Sequence, residues 1–152
     1  MNSSFEKELA EKGFLVYHNV GDSMMPLVKQ GRDLMLLRVP NREYRKYDAV
    51  LYKRENGQYV MHRIIGSNSE GFIMCGDNRY DKEYGIKKEQ VMALLTAVVR
   101  DGKELSTDSV WCKIYVHLWC DLFFIRKIFL KFKIYFYLLK RKFTKCKKKK
   151  KI

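Results

Sequence analysis

The chain has 152 residues, is 47% apolar and carries a formal net charge of +14. That suffices for one domain with a modest core and a basic appendage. Its cysteines, Cys75, Cys112, Cys120 and Cys146, form no CxxC pair and no Cys/His cluster, which argues against a zinc site and reads as unpaired thiols in a reducing compartment.

The first residues, Met1 to Gly13, contain no apolar run of the kind a secretory signal needs. Any attachment to a bilayer is therefore expected from the C-terminal end. Ser3 followed by Glu6 fits a capping box, Phe5 and Leu9 share a face, and Gly13 offers a stop. The spacing predicts a short helix over 4–12.

Short apolar or alternating runs follow at 14–20, 34–39, 49–54, 59–65, 72–75 and 91–100. Turn signals separate them: Pro40-Asn41, Glu55-Asn56-Gly57, Ser67 to Gly71, and Gly76-Asp77-Asn78. The pattern predicts a mainly β fold, with three strands joined by two hairpin turns across 49–75.

The tail changes character. Thr107 or Asp108 is placed to cap a helix beginning near Val110. Through 110–139, Lys113, His117, Asp121, Lys127 and Lys131 form a narrow polar stripe, while Trp111, Trp119, Phe124, Ile128, Phe132 and Phe136 occupy the other faces. This is too charged for a spanning helix and suits one lying in a membrane interface. The lysine run 145–151 adds attraction to an anionic leaflet. The aromatics belong to one helical pattern rather than to a stacking platform on strands, which argues against nucleic acid. Two regions are expected: a β domain over 1–106 and a basic, membrane-associating tail over 107–152.

Three motifs carry candidate chemistry. Gly21-Asp22-Ser23-Met24-Met25-Pro26 places a serine in a bend, and the methionines suggest an apolar cleft beside it. Tyr59-Val60-Met61-His62-Arg63-Ile64-Ile65 sets a histidine in an apolar strand, with Val60, His62 and Ile64 on one face. Gly76-Asp77-Asn78-Arg79-Tyr80-Asp81 supplies two aspartates, either of which could orient His62. Singly, these are a turn serine, a buried histidine and an Asx turn. Together and in this order they resemble the signal peptidase I superfamily, more closely its serine–histidine branch of the endoplasmic reticulum, archaea and some bacteria. The resemblance covers about residues 13–100.

That resemblance implies an antiparallel β fold with an exposed groove that binds substrate as an added strand. It makes Ser23 the nucleophile, His62 the base, Asp77 and Asp81 the candidate acids, and the Ser23 N–H part of an oxyanion hole. The chain departs from the family in three places. Gly31-Arg32-Asp33 has one residue more than the usual Gly-Asp. Asp81 follows Gly76-Asp77-Asn78 more closely than is customary. Residues 1–22 hold no apolar run of spanning length, where the family customarily carries a membrane segment.

The expected activity is a serine endopeptidase that processes a peptide or protein precursor, as in signal- or leader-peptide cleavage. No cofactor or metal is called for. The partners expected are the precursor and a membrane surface. The catalytic domain is expected to face the cytoplasm; the alternative is an integral membrane protein with that domain outside. The rival function is a non-catalytic relative of the same fold that binds a peptide and is tethered to the membrane. A self-cleaving repressor-type peptidase fits less well, because those use lysine where this chain has His62.

Overall fold

The computed structural model describes residues 5–122 and, beyond them, positions 124, 126, 128, 131, 132, 135 and 136. The chain is mainly β, an antiparallel sheet with a short helix before it and a second helix after it. Helix α1 spans Phe5–Lys12. It ends where Gly13, at a φ of 72°, donates its N–H to the Leu9 carbonyl at 2.9 Å. This left-handed cap is the stop that the sequence indicates; the Ser3 cap lies outside the described residues.

The strands are β1 (Phe14–His18), β2 (Asp33–Arg38), β3 (Ala49–Lys53), β4 (Tyr59–Asn68), β5 (Gly71–Cys75), β6 (Glu83–Ile86), β7 (Val91–Arg100) and β8 (Lys103–Ser106). Their order is β1-β2-β7-β3-β4-β5-β6, with β8 also paired to β7. The hairpins β3–β4 and β4–β5 are the three-strand segment expected across 49–75. Strands β6 and β8 escape a sequence reading. Each is four residues long, and all of β8 is exposed, so neither shows an apolar period.

Both faces of β3 are buried. Ala49 and Leu51 enter a core with Leu9, Leu15, Met35, Met61 and Leu95. Val50 and Tyr52 enter a second with Ile64, Met74, Ile86 and Val91. A strand covered on both sides reads as a continuous apolar run, which is why Ala49–Tyr52 shows no alternation. His62 belongs to the Val50/Tyr52 side, because Val50 pairs with His62 and Tyr52 with Val60.

Helix α2 spans Val110–Asp121. Its cap is Ser109, whose side chain accepts from the Cys112 N–H at 3.3 Å, rather than Thr107 or Asp108. Thr107 instead donates its hydroxyl to the Leu95 and Thr96 carbonyls, both at 3.0 Å. The helix packs on the sheet through Tyr115, Val116 and Trp119 and leaves Val110, Trp111, Ile114 and Leu118 exposed. Among the described residues no helix is long and apolar enough to cross a membrane. Cys75, Cys112 and Cys120 are free thiols.

Candidate active site

Ser23 lies in the loop between β1 and β2. The neck of that loop is tied by Asn19 Nδ2, which donates to the Gly21 carbonyl at 2.8 Å, and by the Gly21 N–H, which donates to Gln30 Oε1 at 3.0 Å. Gly21 has a φ of 94°, a conformation that leaves glycine the natural choice there. Met24 and Val28 are fully buried, and the Val28 N–H donates to the Met24 carbonyl at 2.9 Å. Met24 thus belongs to the core rather than to a cleft wall, and it anchors the loop so that half-buried Ser23 is held beside it. Asp33 fixes the far end. Its buried carboxylate accepts from Arg32 at 2.6 Å, from Arg100 at 3.0 Å and from the Lys29 N–H at 2.8 Å.

The turn after β5 meets this loop. The Asn78 N–H donates to the Ser23 carbonyl at 2.7 Å. Asn78 Nδ2 donates to the Asp22 carboxylate at 3.0 Å, and Arg79 pairs with the same carboxylate. Gly76 occupies the closest approach. A Cβ there would stand 2.8 Å from the Ser23 carbonyl oxygen, 3.0 Å from His62 Nε2 and 3.1 Å from Arg79 Cγ. The Ser23 carbonyl and the imidazole Nε2 therefore both crowd the point where a side chain of residue 76 would begin, a close approach that only glycine admits.

His62 is 8% exposed. Its Nδ1 lies 3.1 Å from Glu83 Oε1 and 3.2 Å from the Tyr52 hydroxyl. Glu83 is itself gripped by Arg54, whose Nε donates at 2.8 Å and whose Nη2 donates to the other oxygen. Burial pushes the imidazole below its ordinary 6.5; the Glu83 charge opposes this and the Arg54 charge reinforces it. Burial pushes the Glu83 carboxyl up, but hydrogen bonds from Arg54 and Tyr52 outweigh that and leave it below its usual value. The carboxylate at Nδ1 places the proton there and leaves the lone pair on Nε2, the ring nitrogen beside Gly76. That is the tautomer a general base needs. Among the described residues no hydrogen bond joins Nε2 to the Ser23 hydroxyl.

The two aspartates of the turn lie elsewhere. The Asp77 carboxylate accepts from Arg63 Nε at 2.8 Å and Nη2 at 2.6 Å, and from the Tyr115 hydroxyl at 3.0 Å. It is fully buried and fully engaged as the counter-ion of Arg63. Asp81 is exposed, and its carbonyl accepts from Cys75 Sγ at 3.4 Å. Among the described residues the carboxylate on His62 is Glu83, the first residue of β6. It was hidden because the β5–β6 register, Phe72 to Ile86 and Met74 to Glu83, contains a bulge. Tyr52 was closer to legible. The 54–58 turn sets the β3–β4 register and puts it on the histidine's face.

Helix α2 and Arg126, beyond its end, also belong to the site. Trp119 Nε1 donates to the Asp77 carbonyl, and the buried Arg126 donates to the Arg79 carbonyl at 2.6 Å and to Cys75 Sγ at 2.9 Å. The turn that grips Ser23 is thus gripped from behind. Pro26 and Leu27, just after Ser23, line an apolar groove of about 310 Å3 with Leu105, Trp111 and Tyr115. Among the described residues no three His, Cys, Asp or Glu side chains are grouped to hold a metal ion. No protein-family model matches the chain, and no curated protein and no solved structure matches it either.

Proposed function

We propose that this chain is a serine endopeptidase in which Ser23 attacks a peptide carbonyl, His62 takes its proton, and Glu83 holds the imidazole. The observation that carries this reading is the crowding at Gly76. The serine's main chain and His62 Nε2 approach the same point, while the other ring nitrogen faces a carboxylate. In such an arrangement a depressed imidazole pKa keeps the base neutral at ordinary pH. The Ser23 N–H is the expected oxyanion donor, a contribution of ~3 kcal/mol in hydrolases.

The resemblance to the serine–histidine signal peptidases makes a peptide or protein precursor the substrate class. The apolar groove at Pro26 and Leu27 would take apolar substrate residues. The exposed face of α2 and the lysine run would hold the enzyme at a membrane surface, where such precursors reside. The catalytic domain would face the cytoplasm, since dense Lys and Arg beside an apolar tail favour that side.

A fluorophosphonate that labels activated serines tests the assignment. The full-length protein should react, and Ser23→Ala and His62→Ala should not. Labelling that survives Ser23→Ala would sink it. A folded wild-type protein that never reacts would favour the non-catalytic peptide binder.

A further inference from the structure

A second cavity of about 310 Å3 opens between the 42–48 loop, β7 and one flank of α2. Arg42, Arg45, Lys46 and Lys113 line it, together with two carboxylates, Asp48 and Asp108. Asp48 is already occupied. It accepts from both Nη atoms of Arg42, at 2.8 and 2.9 Å, and from the Arg45 N–H at 3.0 Å. Lys46 reaches Asp121 at 3.5 Å. Arg45 and Lys113 are exposed, and among the described residues neither has a carboxylate within ion-pair distance. Of the two carboxylates only Asp108 is without an ion pair among the described residues, so Arg45 and Lys113 leave a net positive charge at a cavity whose volume is at the small end of ligand sites, about 300–1,000 Å3.

The neighbouring surface says what kind of anion fits. At 100° per residue, Lys113 and His117 flank the stripe formed by Val110, Trp111, Ile114 and Leu118, into whose last turn Asp121 falls, engaged by Lys46, Tyr47 and His117. That stripe lies opposite buried Val116, and its members are 45–81% exposed. It is continued by exposed Phe124, Ile128, Phe132 and Phe136. An apolar stripe with cations along one edge matches the layering of a bilayer, acyl chains beneath phosphates. A soluble anion would need the cations and not the stripe.

We propose that this cavity binds the phosphate of an anionic lipid headgroup while the apolar stripe of α2 enters the acyl layer. The proposal rests on the membrane-surface part of the functional reading and is independent of the Ser23 chemistry. Arg45 and Lys113 donate to the phosphate, and Lys46 adds a third cation beside it. Charge-assisted hydrogen bonds of this kind exceed what the general field of a charged surface provides.

Sedimentation of the full-length protein with vesicles tests it, using phosphatidylcholine alone and phosphatidylcholine mixed with phosphatidylglycerol. Two basic residues acting only through the field are worth up to roughly thirtyfold in binding. Arg45→Gln/Lys113→Gln should therefore be compared with Lys149→Gln/Lys150→Gln, which removes the same charge from the tail. The cavity pair should lose at least about threefold more binding to the anionic vesicles than the tail pair. Binding to phosphatidylcholine alone should be unchanged. Equal losses, or no preference for the anionic vesicles, would overturn the cavity and leave the membrane reading standing. A wild-type protein that sediments with neither vesicle would overturn both. Thermal stabilisation by inorganic phosphate that disappears in the cavity pair, without any vesicle preference, would assign the cavity to a soluble anion and overturn the lipid.

Discussion

His62 feels two opposite charges, the Glu83 carboxylate beside it and the Arg54 guanidinium that grips that carboxylate, and each pulls its proton affinity its own way. The Glu83 charge raises the imidazole pKa; the Arg54 charge lowers it. A general base works only when neutral, so the acid limb of kcat/KM follows that pKa. With burial dominant, the limb of the proposed peptidase activity should lie below pH 6.5 in the unaltered chain. Glu83→Gln removes the raising charge and should move the limb to lower pH. It should also cost kcat on the order of 10²- to 10⁴-fold, because the ring is no longer held in the productive tautomer. Glu83→Asp should restore part of the rate. Arg54→Met removes the lowering charge and should move the limb to higher pH. A merely structural loop of charges would reduce activity in both variants without opposite displacements. pH–rate profiles of the two would show which holds.

Between β4 and the turn after β5 the decisive contact is a buried ion pair, Arg63 with Asp77, each at most 3% exposed. Burial disfavours the Arg63 charge, but the Asp77 carboxylate more than restores it, so the guanidinium stays charged. Removing one partner strands the other in an apolar interior, which costs about 3–5 kcal/mol. Arg63→Met should therefore lose stability on that scale in urea. Arg63→Met combined with Asp77→Asn should regain most of it, because the double variant leaves no orphan charge. If the two single losses simply add, the pair is not coupled and does not weld the turn to the sheet. This contact marks the limit of what could be read from the chain. The hairpins of 49–75 follow from local turn chemistry, and the face shared by Val60, His62 and Ile64 follows from alternation. The partner of Arg63 depends on how β5 runs into the turn and how Tyr115 of α2 closes over it, a matter of tertiary packing. The same reasoning explains Glu83, whose approach to His62 depends on a bulged register between separate strands. It also explains the tail, where helical period alone shows an apolar face but not which part the sheet covers. Tyr115, Val116 and Trp119 face inward; Trp111 and Leu118 face outward.

For the whole molecule, the shifted groups combine into a definite pH response. His62 is held below 6.5 by burial, so at lower pH the unfolded chain takes a proton that the native chain refuses. Stability should be flat above 6.5 and begin to fall beneath it. Asp33 is the larger case. Burial pushes its carboxyl up, but Arg32, Arg100 and the Lys29 N–H together hold it well below its ordinary 3.8. A depressed carboxyl stabilises fully above its unfolded value, and that contribution is lost as pH falls toward the folded one. Glu83 acts in the same sense below its ordinary 4.5. A thermal melt series should thus show a shallow decline starting near pH 6.5 and a steeper one below pH 4.5. Asp33 joins the foot of the Ser23 loop to β7 through Arg100. Asp33→Asn should lower Tm at neutral pH, where the carboxylate contributes in full. It should also shrink the steep low-pH step, leaving the part due to Glu83 and to Asp121, whose carboxyl the Tyr47 hydroxyl holds below its ordinary value. Should Asp33→Asn keep the entire step, the acid lability of the fold would have to come from groups other than the one that anchors the Ser23 loop.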